Sequence, residues 1–179
     1  AAAASLANAG NYSVTVLNVV GGVTCSATAQ TVVAVNPNPI ANPSSTPVCA
    51  GFPLNLNANA SGGTGTLSYT WNGQGAFNAN VANPSVTGIN AGSYTYSVTV
   101  RDLNSCSVVA NTAATVYPNP AAAPAFTPVC AGKPLSLSAN ASGGTPGYTY
   151  SWNGNGSFNN SSANPVVTGL PAGNPGYTV

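Results

Sequence analysis

The chain has 179 residues, enough for one or two ordinary domains, and only Arg101, Asp102 and Lys133 carry a charge, giving a formal net charge of +1 with no histidine and no glutamate. Charged residues make up 2% of the chain, against roughly 25% in an ordinary soluble domain, so there is no basic patch for nucleic acid and no Ser-His-Asp or Cys-His arrangement. A hydrophobic share of 44% excludes a charge-solvated disordered chain, and no apolar run approaches the ~20 residues of a membrane-spanning helix.

In chain order, residues 1–40 are the first stretch of a repeat series. Cys25-Ser26 returns as Cys106-Ser107, and Pro37-Asn38-Pro39 returns as Pro118-Asn119-Pro120, both 81 residues on. Standing alone, this stretch would expose an unpaired apolar face. Next comes a whole repeat, residues 41–120. Leu54, Leu56, Ala58 and Ala60 alternate with asparagines, the period of a half-buried strand. Ser61-Gly62-Gly63-Thr64-Gly65 is turn chemistry. Leu67, Tyr69 and Trp71 mark a second strand, and Phe77 and Val86 mark shorter ones. Tyr94, Tyr96, Val98 and Val100 give the clearest alternation in the chain. Asp102-Leu103-Asn104-Ser105 turns it into a last strand through Cys106, Val108, Ala110, Ala114 and Val116.

Residues 121–179 begin a third repeat. Thr46-Pro47-Val48-Cys49-Ala50-Gly51 returns as Thr127-Pro128-Val129-Cys130-Ala131-Gly132, and Trp71-Asn72-Gly73 as Trp152-Asn153-Gly154. Positions 49–98 and 130–179 share 30 of 50 residues. The segment therefore reads as the C-terminal part of one repeat, one complete repeat and the N-terminal part of a third. About seven short strands per repeat, with a turn every 8–12 residues, predict an all-β fold: tandem immunoglobulin-like β-sandwiches. Trp71, Trp152, Tyr96 and Tyr177 are the expected core anchors. The rival role for the two tryptophans is a stacking platform for sugar. The connectors Asn36–Pro39 and Tyr117–Pro124 are proline-rich, which makes them extended and semi-rigid.

Several runs together carry a resemblance. They are Pro-Val-Cys-Ala-Gly, Ser142 to Trp152, Ala91 to Val100, and Asp102 with Cys106. They resemble the PKD-like and immunoglobulin-like repeats of large surface proteins in Bacteroidota. The resemblance covers nearly the whole segment. It implies export by the type IX secretion system and work as an adhesin, a gliding-motility filament or a spacer. PKD repeats usually carry acidic residues after the strand tryptophan; here Asn72 and Asn153 stand there.

Cys25, Cys49, Cys106 and Cys130 are disulfide candidates, since an extracellular chain ordinarily oxidises its cysteines. Pairing of Cys49 with Cys106 inside one repeat stands about even with the other arrangements, which are a bond across a junction with a neighbouring repeat, or free thiols. No metal site and no cofactor is expected: calcium needs several carboxylates, and no second ligand accompanies any cysteine. Asp102 reads as a turn former. Lys133 is a turn residue whose counterpart one repeat earlier is Phe52.

The expectation is an extracellular or cell-surface structural and adhesive protein, not an enzyme, forming a fibre, filament or stalk. Its partners would be neighbouring repeats of the same chain or identical subunits. The alternatives are a glycan-binding module on surface glycans, and a non-catalytic spacer of a larger secreted enzyme. Nucleic acid and a membrane span are not expected.

Overall fold

The computed structural model describes residues 3–154, 157–169, 173 and 176–178. Backbone contacts divide the chain into two compact units, residues 1–45, 55–85 and 94–114 in one and 46–54, 86–93 and 115–179 in the other. Among the described residues the regular structure is β-strand, apart from single 3-10 turns at Leu6–Asn8 and Gln74–Ala76.

The first element is a long hairpin. β1 (Gly10–Val20) pairs antiparallel with β2 (Val23–Val33), from Gly10↔Val33 to Val20↔Val23. Gly21 and Gly22 connect them with φ of +60° and +81°. Two consecutive positive φ angles give the turn the twist that a two-residue hairpin needs. The hairpin's apolar residues stay exposed, Val16 at 64% and Val32 at 77%.

The second repeat contains β3 (Pro39–Ala41), β4 (Ser44–Ser45), β5 (Val48–Cys49), β6 (Leu54–Asn57), β7 (Ala60–Gly62) and β8 (Ser68–Gly73). It continues with β9 (Phe77–Ala79), β10 (Ser85–Val86), β11 (Gly92–Arg101) and β12 (Ser107–Tyr117). One sheet runs β10-β6-β4 and the other β5-β12-β11-β8-β9, with β5 parallel to β12. In immunoglobulin terms these are strands E-B-A and A′-G-F-C-C′. The fold is thus an all-β, immunoglobulin-like sandwich. The alternating apolar residues turn inward: Leu54, Leu56, Ala58, Trp71, Tyr96, Val98, Val100, Ala114 and Val116 are each 3% exposed or less.

The expected single strand from Leu54 to Ala60 is broken. Asn59 adopts φ +43°, a left-handed conformation that asparagine tolerates better than most residues. Its amide Nδ2 donates to Asn42 O and Ser44 Oγ, both at 3.0 Å. One repeat later Asn140 has the same φ of +43°, and its Nδ2 donates to Ala123 O at 3.1 Å.

The third repeat has β13 (Pro120–Ala121), β14 (Ala125–Phe126), β15 (Leu135–Ser138), β16 (Ser142–Gly143), β17 (Trp152–Gly154), β18 (Phe158–Asn160), β19 (Val166–Val167) and β20 (Tyr177–Thr178). Its sheets run β14-β15-β19 and β18-β17-β20, with β13 paired to β16. Leu135, Leu137, Ala139, Trp152 and Val167 form its core, with Tyr150, Phe158 and Tyr177 packed against it.

Candidate functional site: the junction between repeats

The connector after β12 is held at almost every step. Tyr117 lies opposite Cys49 in the parallel β5–β12 pair. The Ala50 N–H donates to Tyr117 O at 2.8 Å, and Asn119 Nδ2 donates to Ala50 O at 3.0 Å. The chain then passes to the following repeat, with Pro120 opposite Gly143 and Ala121 opposite Ser142. The Ala123 N–H donates to Ala139 O at 3.1 Å. All of these residues belong to one compact unit.

The glycines of Ser-Gly-Gly explain why the docking is close. Gly143 and Gly144 have φ of +64° and +61°. A Cβ on Gly143 would lie 3.1 Å from Asn119 O, and one on Gly144 would lie 3.0–3.2 Å from the backbone and ring of Pro120. The upstream connector repeats the arrangement: Pro39 pairs with Gly62 and Ile40 with Ser61, and a Cβ on Gly63 would meet the Pro39 ring at 3.4 Å.

Asp102 joins this docking turn to the turn between strands F and G. It is 5% exposed. Its Oδ2 accepts the Thr64 N–H and its Oδ1 accepts the Cys106 N–H, both at 2.8 Å. The Leu103 N–H donates to Thr64 O at 3.1 Å. Asp102 therefore does more than favour a turn: one carboxylate satisfies two backbone donors from separate loops.

No bond joins any two of the four cysteines to each other, and Cys25, Cys49 and Cys130 are exposed while Cys106 is half-buried. Cys49 sits beside Tyr117, the last residue of β12, and Cys106 immediately precedes the first. At about 3.3 Å per residue that strand separates them by roughly 35 Å, whereas bridged Cα atoms lie about 4.4–6.8 Å apart. The fold therefore excludes a Cys49–Cys106 bond within one repeat.

Trp71 is 0% and Trp152 1% exposed, so neither offers a ring face to a sugar. Their indole N–H groups donate to Val81 O at 3.1 Å and Ser162 O at 3.0 Å. Tyr96 is buried, with its ring pressed on Gly73, where an added Cβ would collide with the ring carbons. Burial, and secondarily the neighbouring Tyr94, raises the Tyr96 phenol above its ordinary 10.0. Tyr177 is half-buried and lies against Gly154 in the same way. An open groove of about 290 Å³ is lined by Ser68, Thr70, Thr99 and Arg101, with no aromatic side chain among them.

Among the described residues no group of three or more His, Cys, Asp or Glu could hold a metal. No described helix is long and apolar enough to cross a membrane, which says nothing of β-barrels. The recurrence of Pro-Asn-Pro and Ser-Gly-Gly was visible in the sequence. That the two motifs dock on each other was not.

No protein-family model and no curated protein sequence matches the chain. Among solved structures, the chain is similar to the N-terminal four Ig domains of Dscam1 isoform 1.9, at 16% identity and TM-score 0.37 over 76% of this chain. It is also similar to the same region of Dscam1 isoform 6.9, at 17% identity and TM-score 0.37 over 84% of this chain. The chain spans 40% and 45% of the lengths of those two proteins.

Proposed function

We propose that this protein is a structural and adhesive element of the cell exterior, in which immunoglobulin-like repeats are strung into a surface fibre, filament or stalk. The observation that carries the reading is the docked connector. Tyr117 and Asn119 are bonded to the turn at residues 49–50, and Pro120, Ala121 and Ala123 to the next repeat. A proline-rich connector tied at both ends transmits orientation, whereas a free Gly/Ser linker behaves as a random coil. The near-absence of charge supports the adhesive half of the reading, because a neutral Asn/Ser/Thr surface has little repulsion to keep like surfaces apart. The sequence resemblance to surface repeats of Bacteroidota supports a cell-surface setting reached through type IX secretion.

Residual dipolar couplings on the aligned, isotopically labelled chain test the stiffness. If the second and third repeats tumble as one, a single alignment tensor fits both. Two independent tensors would show a flexible tether and would sink the stalk reading.

A further inference from the structure

We infer that the β1–β2 hairpin of one copy of this chain adds as strands F and G to the third repeat of a second copy, joining chains head to tail. The inference rests on the fibre reading proposed above and deepens it by naming the surface through which identical subunits connect.

The hairpin carries the F–G sequence. Tyr12-Ser13-Val14-Thr15-Val16 is identical to Tyr96-Ser97-Val98-Thr99-Val100 of β11, and Cys25-Ser26, Ala29 and Thr31 of β2 return in β12 and the turn before it as Cys106-Ser107, Ala110 and Thr112. The matching side chains meet opposite fates. Tyr96, Val98 and Val100 are each 0% exposed, whereas Tyr12, Val14 and Val16 are 50%, 59% and 64% exposed. What separates them is cover. In the second repeat the cover is the A-B-E sheet of the same sandwich, with strand C paired alongside.

The third repeat supplies the matching frame. Leu54, Leu56, Trp71 and Val86 return there as Leu135, Leu137, Trp152 and Val167, and its sheets repeat the A-B-E order and the C-C′ pair. Its F–G side is what differs. β11 pairs with β8 from Tyr96↔Gly73 to Arg101↔Ser68, but β20 pairs with β17 only at Asn153 and Gly154. Thr149, Tyr150 and Ser151 correspond to Ser68, Tyr69 and Thr70, yet they lie outside any strand. Val48 pairs in parallel with Val116 of β12, whereas its counterpart Val129 is 43% exposed and lies outside any strand. Leu135, Leu137 and Trp152 are buried, so the acceptor has its own core and offers an edge.

The second repeat dictates the register. With Tyr12 in the place of Tyr96, its ring seats on Gly154, which has no Cβ to obstruct it, as Tyr96 seats on Gly73. Val14 then lies opposite Trp152 and Val16 opposite Tyr150, as Val98 and Val100 lie opposite Trp71 and Tyr69. The two-residue β20 gives way to an eleven-residue strand, because an unpaired strand edge is a template for any longer strand of matching pattern. β2 follows as strand G, with Val35 beside Val129. Asn38 Nδ2 reaches Ala131 O, as Asn119 Nδ2 reaches Ala50 O. Donor and acceptor are different surfaces of one chain, so the contact is heterologous and propagates as a filament.

The test is sedimentation velocity on the whole 179-residue chain over a concentration series, where species should grow stepwise past the dimer. Val14→Asp spoils the donor face and Val129→Asp the acceptor edge; both residues are exposed, so urea unfolding midpoints should stay within experimental scatter. Each variant alone should associate about a hundredfold or more weakly, because docking would bury an unpaired charge. Mixed, the two variants should form one-to-one dimers and stop there, with amide exchange slowed at Thr149 and Ser151. A parent chain that stays monomeric or stops at a dimer, a mixture no stronger than its components, or a Val129→Asp chain that pairs with itself through two hairpins would overturn the inference. Native filaments that unfold in urea and reductant to units of this chain's length would support it. A single, far longer polypeptide would overturn a second copy as the occupant. Each of these failures leaves the stalk reading standing; two independent alignment tensors would remove that reading itself.

Discussion

Tyr96 is buried on every side, yet its hydroxyl has no hydrogen-bond partner among the described residues. The ring is what the site requires: it packs edge-on to Phe77 with centroids 5.5 Å apart and fills the space that Gly73 leaves open. A buried hydroxyl without a partner costs stability. Tyr96→Phe should therefore leave the protein equally stable or up to about 1 kcal/mol more stable at pH 7, read from the urea midpoint. The phenol also sets an alkaline limit. Its folded value lies above 10.0, so the folded state holds the proton more tightly than the unfolded chain. That contribution is complete below pH 10 and is lost as pH rises through the folded value. The variant should lose less stability between pH 9 and pH 11 than the parent. A fall of more than about 1 kcal/mol at pH 7 would mean that the hydroxyl is satisfied after all. Asp102 presents the opposite case. Asp102→Ala leaves the Thr64 and Cys106 N–H groups without their acceptor, at about 2–4 kcal/mol. Asp102→Asn keeps one acceptor oxygen and should cost about half as much. Equal midpoints for parent and alanine variant would contradict the double bond to the carboxylate.

At the scale of elements, the strands were largely legible because period two is a local signal. Tyr94-Thr95-Tyr96-Ser97-Val98 declares which side faces inward without reference to anything distant, and β11 spans Gly92–Arg101 as that alternation implies. Short strands were harder. β5 has two residues and exists because β12 lies beside it in parallel, and no two-residue pattern announces that. Asn59 broke an otherwise regular strand because its side chain replaces a backbone partner 17 residues away. The connector clamp was the least legible part. Its glycines looked like ordinary turn formers, and their second task, close approach to Pro120 and Asn119, depends on a segment over 20 residues distant in the chain. That task makes a prediction. Gly144→Val adds a Cβ at 3.0–3.2 Å from Pro120 and forces a branched residue into φ +61°. The cost should be about 1–3 kcal/mol from crowding, with backbone strain of similar size added, confined to the junction. Amide hydrogen exchange should rise at Ala121 and Ala123 and remain unchanged at Val98 and Val100. Uniformly raised exchange would show that the turn supports the sandwich rather than the connector.

For the whole molecule, three charged side chains in 179 residues leave electrostatics almost no role in its stability. Asp102 is occupied by backbone N–H groups, so its contribution is local and poorly screened, while an exposed pair elsewhere would contribute at most about 1 kcal/mol. Stability must instead come from the stacked apolar layers and the backbone ladders, which respond to water structure and not to ionic strength. Raising sodium chloride from 0.05 to 0.5 M shortens the Debye length by about threefold. It should move the unfolding free energy by less than about 0.5 kcal/mol. Sulfate at the same ionic strength should raise it, because sulfate is excluded from the surface and strengthens apolar burial. The same exclusion drives neutral surfaces together, so sulfate should also promote association of the chain, followed by light scattering. A fall in stability larger than about 1 kcal/mol in sodium chloride would place a strong, screenable charge interaction in a fold that has only one carboxylate side chain to supply it. Insensitivity to salt together with sulfate-driven association is what the proposed adhesive array of sandwiches would require, since such an array would have to hold its shape and its contacts at any ionic strength it met.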